Sequence, residues 1–466
     1  MALDPNEQPG PPIAKFESML KTDDVYFFDA EDFEEIIHHY LNNGRISLAK
    51  KAIRMGLQQH PDALELRLLE VEVLVFENHL DQAQLILDQL QQINSRNQEI
   101  CIQQANICSK KDQHDLAIDW LKRALELEPD DPDVHSLLGM EYLFLDAYSE
   151  AQQCFMRCVA EDPEDYASLY NVVYCFEFRE DFRGGIRFLN AYLETNPYCQ
   201  VAWHQLGKLY KELDMLKEAL GAFEFAVISD DSFIGAYFEK GRVLEKLGRL
   251  EEAIENYQAT MDLDDPTSHA YLRMGRCFEK LGDDEQAQAY YYRTVHDDPL
   301  LDKGWLAITE FYLRRELYEK ALEFVNKAIH IDGENADYWA RCGKIHLATG
   351  NLDEADYAYS QAVRLEDYSL GTWSSWCEVL WQAKEYQALY EVLKQAIKFH
   401  PKTGEFRYRL AGISFLLGKE KKARTQLKHA INMLPEAYPQ FQEDFPEFPH
   451  WVPIEKASDQ PGKASE

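Results

Sequence analysis

Lys208, Arg242 and Arg276 stand 34 residues apart, and Lys344 follows two such intervals later. Ammonium and guanidinium groups repeated at fixed spacing can hold carboxylates, the guanidinium by two parallel hydrogen bonds. Arg273, Arg341 and Arg409 lie about one helical turn before this column, and Lys211, Lys246 and Lys280 about one turn after it. Between residues 200 and 301 the shared face carries Lys208, Lys211, Arg242, Lys246, Arg273, Arg276 and Lys280 against Glu212, Glu239, Glu245 and Glu279. That local excess of cations is inverted relative to a chain of net charge −34. A solvated ladder of neighbouring opposite charges, worth ~0–1 kcal/mol per pair, is the competing reading. The equivalent positions just upstream hold Met140, Phe144, Tyr170, Asn171, Tyr174 and Phe178. Half of these are expected in the core, and the rest would form an apolar shelf beside the cationic wall. Such a surface suits an extended peptide that combines aromatic and acidic residues.

Other reactive residues do not assemble into a catalytic or metal-binding pattern. There is no Gly-rich phosphate loop, no H-E-x-x-H and no nucleophile elbow. His38 and His39 are adjacent, so on a helix they point in different directions. Cys154 and Cys158 are one turn apart, yet no histidine nearby completes a zinc set. The expectation is a non-enzyme with no cofactor and no metal. Nine cysteines without a C-x-x-C pair fit a reducing compartment, and Cys158, in a column of small residues, reads as core packing.

The interval between the cations is what positions all of these groups. Trp203, Tyr237, Tyr271, Trp305, Trp339 and Trp373 form an aromatic column; Gly207, Gly241, Gly275, Thr309 and Gly343 form a second; Ala219, Ala253, Ala287, Ala321 and Ala355 form a third. Within one interval Trp203, Leu206, Gly207 and Tyr210 share one face of a helix, and Ala219, Phe223 and Ala226 belong to the next helix. Gly207 and Ala219 sit where two helix axes cross closely. Pro163, Pro197, Pro299, Pro401 and Pro435 punctuate the intervals.

These residues resemble the tetratricopeptide repeat: Trp, Leu-Gly and Tyr, then Ala, Phe, Ala and Pro, with "WHQLGKLY" and "EALGAF" close to the family pattern. The chain is also similar to long cytoplasmic repeat proteins of bacteria. The resemblance implies an all-α, right-handed superhelical solenoid of about twelve 34-residue helix–turn–helix repeats over residues 30–437. It also implies that the first helix of each repeat lines a concave face. Ile37, Val71 and Leu389 depart from the small-residue pattern, as terminal repeats do. The chaperone-tail clamp of the family is not reproduced.

Residues 1–29 are expected to be flexible, with a short capping helix around Phe16, Met19 and Leu20. Residues 438–466 form a tail rich in proline, aromatics and acids. In 438–453 the four prolines predict an extended segment that caps the last repeat or clasps a groove, and residues 454–466 read as disordered. Acids at the junctions (128–133, 161–165, 229–231, 262–266, 296–299) suit helix capping. Composition argues against nucleic acid as a partner, and no run is long enough for membrane insertion. The function expected is a cytoplasmic adaptor or scaffold for protein or peptide partners. A self-associating structural scaffold is the alternative, and RNA processing is a third reading, disfavoured by charge.

Overall fold

In the computed structural model the described residues are 11–22, 26–263 and 267–448, and they contain twenty-six α-helices. The chain falls into two compact units, Met1–Val243 and Leu244–Glu466. Each is built from antiparallel helix pairs, so the architecture is all-α. The first helices of the pairs begin at Ala30, Leu64, Gln98, Pro132, Tyr166 and Gln200, then Ile234, Ser268, Asp302, Ala336, Leu370 and Gly404. Every step equals the period read from the aromatic column.

Three local features make the period. The first is a size match inside each pair. A Cβ placed on Gly139 would come within 2.7 Å of the Phe155 ring, on Gly207 within 2.6 Å of Phe223, and on Gly275 within 2.6 Å of Tyr291. The ring always belongs to the residue sixteen positions later, on the second helix. Where this first-helix position is not glycine, the later residue is aliphatic: Ile37 with Ile53, Val71 with Leu87, Val173 with Leu189, Cys377 with Leu393. All eight of these are buried. Ile37 and Val71, which looked like departures, are therefore the other half of a volume trade; Leu389 lies in the alanine column of the second helices and is not part of it.

The second feature is the turn between the two helices. Gly44, Asn78, Asp112, Asp146, Glu180, Asp214, Gly248, Gly282, Glu316, Gly350, Lys384 and Gly418 all have positive φ. They recur at the same period, one at the turn of each repeat, and Glu366 adds a second left-handed residue to the tenth. Glycine takes this conformation at no steric cost, whereas a Cβ costs about 1–2 kcal/mol. The third feature ties the repeat to its junction. The indole N–H of Trp203 donates to the Pro197 carbonyl (2.8 Å), that of Trp305 to Pro299 (2.9 Å) and that of Trp339 to Gly333 (2.9 Å). The junction acids act as expected: Asp131 accepts from the Val134 amide (3.2 Å) and Asp165 from the Ser168 amide (3.0 Å). Residues 264–266 of the 262–266 stretch lie outside the described residues.

The C-terminal end departs from the sequence expectation in an instructive way. The tail is not extended: a short helix, Tyr438–Asp444, starts one full period after Gly404. It is the beginning of the first helix of a further repeat, with Phe441 in the aromatic column and Phe445 in the glycine column. Pro439 lies in its first turn, where the missing N–H has no intrahelical partner to lose. Phe441, Phe445 and Phe448 are buried against Tyr408, Ala411, Leu427 and Ala430 of the last complete repeat, and Phe445 lies over Gly412. Trp451 and residues 454–466 lie outside the described residues, as do 1–10. At the other end, the helix Pro11–Thr22 occupies the register of a second helix and buries Phe16 among Phe28, Phe33 and Tyr40.

Two measurements check this account. Gly207→Val should destabilise the chain by about 1–3 kcal/mol through overpacking, and adding Phe223→Leu should recover most of the loss in urea unfolding, because Val with Leu is a pairing the chain already uses. Glu180→Gly should stabilise by about 0.5–1 kcal/mol, and Asp112→Gly by less, since aspartate tolerates the left-handed region better.

Candidate protein-binding faces

The cationic column lies on the first helices, but most of its charges are spoken for. In the first compact unit, Lys211 Nζ donates to Glu239 at 2.5 Å and the Arg242 guanidinium to the same carboxylate at 2.7 Å. Lys208 is 3.8 Å from Glu177. Burial alone would raise the Glu239 pKa, yet the hydrogen bond and charge of Lys211, with Arg242 beside it, hold it below the ordinary carboxylate value. Next to them, burial and the Lys208 charge lower the His204 pKa to about 4, so this ring is neutral at pH 7.

The second unit repeats the arrangement with an added anchor. Tyr257 donates to Glu245 at 2.6 Å, and the carboxylate also lies 3.7 Å from both Arg273 and Lys280. One period further on, Tyr291 donates to Glu279 at 2.8 Å. Glu279 accepts two hydrogen bonds from Arg314 (3.0 and 2.6 Å) and one from Arg315 (3.3 Å). Arg341 grips Glu310 and pairs with Asp337, and Arg409 reaches Glu378 at 3.4 Å. Burial, followed by the hydrogen bonds to these glutamates, pushes both phenols well above their usual pKa. They remain donors throughout the physiological range.

Arg276, Lys246 and Lys344 differ. No hydrogen bond or ion pair reaches them among the described residues. Arg276 is half-buried in the wall of a cleft of about 580 Å³, whose lining also includes Lys280, Tyr291, Glu310, Arg314 and Arg315. Lys344 lines the adjoining groove with Arg341 and Arg314. Arg314 and Arg315 were missed in the sequence reading. Arg314 stands one interval beyond Lys280, so extending that column by a single step finds it.

The aromatic set is more open than expected. Met140, Phe144, Tyr170, Tyr174 and Phe178 are all exposed, Phe178 by 58%, and Asn171 is half-buried beside them. Core packing does not claim half of them because each lies on the outward row of its helix, four residues from the next. Their rings stack along the edge: Phe144 on His114 at 4.7 Å, and Phe178 on Tyr148 at 4.3 Å. Cys154 and Cys158 are buried thiols. Burial raises the Cys154 pKa to about 11, and the Cys158 thiol donates to the Pro132 carbonyl at 3.3 Å.

Glu239→Gln should cost about 2 kcal/mol at neutral pH. A carboxylate whose folded pKa is depressed contributes stability above its unfolded pKa and loses it as pH falls through the folded value. The gap between the wild type and this variant in urea unfolding should therefore be full above the ordinary carboxylate value of 4.5 and close as the pH falls below it.

The C-terminal domain of cilia and flagella-associated protein 70 matches residues 224–443, and tetratricopeptide-repeat models match 105–142 and 132–165. ER membrane protein complex subunit 2 of Xenopus tropicalis is 31% identical over 106 residues, which are 22% of this chain and 36% of that protein. Anaphase-promoting complex subunit 3 of Schizosaccharomyces pombe is 24% identical over 121 residues, 26% of this chain and 18% of that protein. The match therefore spans about a third or less of the length of these relatives. The crystal structure of the APC/C hetero-tetramer Cut9-Hcn1 aligns with 86% of this chain and 92% of its own, at 14% identity and a TM-score of 0.40. The relatives are eukaryotic, which corrects the expected likeness to bacterial proteins. The repeat model over 132–165 falls on the register of the helix pair that begins at Pro132, and with the model over 105–142 it identifies the chain as carrying tetratricopeptide repeats.

Proposed function

We propose that this chain is a non-catalytic interaction scaffold whose second unit binds acidic segments of partner proteins at Arg276, with Lys246 and Lys344 as outlying contacts. One observation carries the reading. Arg276 is a half-buried guanidinium in an open cleft without a carboxylate partner, while most of the cations around it already have one. A charge held ready in this way, its fork not yet engaged, suits a carboxylate brought by another chain. Lys208, Lys211 and Arg242 drop out of the proposed contact set, since Glu177 and Glu239 engage them.

The similarity to a ciliary and flagellar protein over 224–443 supports a ciliary or flagellar setting, which narrows the cytoplasmic one. No helix among the described residues is long and apolar enough to cross a membrane, and the acidic composition continues to argue against nucleic acid. Self-association through a clasping tail loses its support, because Phe441, Phe445 and Phe448 are buried on the chain's own last repeat.

Fluorescence anisotropy with a labelled peptide rich in Glu and Phe tests the reading. Arg276→Glu should weaken binding by at least about tenfold, roughly 1.4 kcal/mol, with an unchanged melting temperature. Lys208→Glu should have a smaller effect. Equal affinity of wild type and Arg276→Glu would discard the site.

A further inference from the structure

The first compact unit has a face of opposite character. On its first three repeats the outward row of the first helices carries carboxylates: Glu34 and Glu35, Glu65 and Glu72, then Glu99. No ion pair reaches any of them among the described residues. In the same row of these three repeats the basic side chains are Lys110 and the imidazole of His38. The carboxylates face their own kind across neighbouring helices. Burial and then Glu65 raise the Glu34 pKa. Burial also raises that of Glu72, with His38 opposing and Glu99, more weakly, adding to it. Among the described residues no lysine or arginine pairs with these carboxylates, and His38 is the basic group that acts on Glu34 and Glu72, whereas Glu239, Glu245, Glu279 and Glu310 of the later repeats each hold one or more lysines or arginines.

The row continues into the fourth and fifth repeats as Met140, Phe144, Tyr170, Tyr174 and Phe178, exposed by 40 to 59%. In this register Glu34 stands at the position of Tyr170 and Glu72 at that of Met140 and Tyr174, with Asn106 between them in repeat 3, while Glu65 and Glu99 lie about two turns nearer the helix starts; the exposed Phe76 of repeat 2 shares the position of Phe144 and Phe178. Exposed apolar residues in a contiguous strip, rather than singly, mark an interaction surface. Aromatic anchors flanked by charge are a recurrent form of hot spot.

We infer that this face of the first unit binds a protein segment carrying large apolar anchors followed by lysine or arginine, the anchors on Tyr170, Tyr174 and Phe178 and the cations along Glu99 and Glu72. Its occupant is set by charge complementarity: cations relieve the carboxylate repulsion, while an acidic segment would add to it. Neighbouring first helices pack at about 10 Å, so the three steps from repeat 2 to repeat 5 are on the order of 30 Å. An extended segment of about nine residues covers that distance. The inference rests on the reading of the chain as a peptide-binding scaffold, yet it assigns the opposite charge preference to a different unit.

The test uses the full chain and three labelled twelve-residue peptides in anisotropy titrations. One carries Trp and Leu followed by four lysines, the second has glutamates in place of the lysines, and the third keeps the lysines but replaces Trp and Leu with serine. The first peptide should bind at least tenfold more tightly than either of the others to the Arg276→Glu background, in which the acidic site is disabled. Tyr174→Ala/Phe178→Ala should weaken the first peptide at least tenfold with an unchanged melting temperature, both side chains being exposed. Glu72→Gln/Glu99→Gln should weaken it and flatten its salt dependence. Absence of binding by the first peptide, equal binding by the serine peptide, or indifference to both double variants would overturn the inference. Binding of the first peptide that survives Arg276→Glu separates this face from the acidic site. Loss of the Glu/Phe-rich peptide alone would leave this inference standing.

Discussion

The structure depends on how closely two helices can approach inside each repeat. The contact is made by one residue on the first helix and another sixteen positions later on the second, and their volumes trade against each other. Glycine admits an aromatic ring, as at Gly139 with Phe155 and Gly275 with Tyr291; valine or isoleucine requires an aliphatic partner. Interiors pack at crystal-like density, so the sum of the two volumes is held while either member varies. With that distance set, the first helices present the same outward rows in every repeat, and whatever those rows carry becomes a surface.

What the rows carry depends on a second layer of chemistry. In two of the three repeats whose aromatic partner is tyrosine, its hydroxyl reaches a glutamate on its own first helix: Tyr257 with Glu245 and Tyr291 with Glu279. The packing residue thereby fixes a carboxylate, and the carboxylate gathers arginines and lysines from the next repeat. Core and surface are linked through one phenol. The first three repeats have Ile53, Leu87 and Leu121 at the tyrosine position and lack this device. Among the described residues their outward glutamates hold no lysine or arginine. The tyrosine is one route to an occupied carboxylate among others, since Glu177, Glu310 and Glu378 hold cations in repeats whose partner residue is aliphatic.

Much of this was legible in the residues. The period, the helix pairs and the start of every first helix follow from three columns read at one spacing. The left-handed turn was equally open to inspection, since Gly248, Gly282, Gly350 and Gly418 lie on one column, although Glu180, Glu316 and Lys384 conceal it elsewhere. The C-terminal half-repeat was hidden by composition. Proline in 438–453 suggested an extended chain, while the register placed Phe441 and Phe445 in the aromatic and glycine columns and Pro439 in a first turn, where proline is harmless. The charge pairs were the least legible. Lys211 with Glu239 and Arg314 with Glu279 join residues on different repeats, and whether a long side chain turns toward its neighbour or away is decided by local space rather than by spacing in the chain. A count of cations and acids along the row could not separate a free arginine from an occupied one.

The pairing across each repeat also bears on how an array of this kind can gain or lose units. Excising one full period preserves the register wherever the cuts fall, but not the partners. A cut in the junction after a second helix removes both members of a pair and leaves every remaining glycine with its ring. A cut between the two helices joins strangers: Gly275 would meet Val325 in place of Tyr291, and the part of the ring's volume that valine does not fill would be left empty. Cavities of that size cost several kcal/mol. Duplications and deletions are therefore tolerated at one phase of the repeat and penalised at the other, so lineages of such arrays should change length by whole pairs bounded at the junctions.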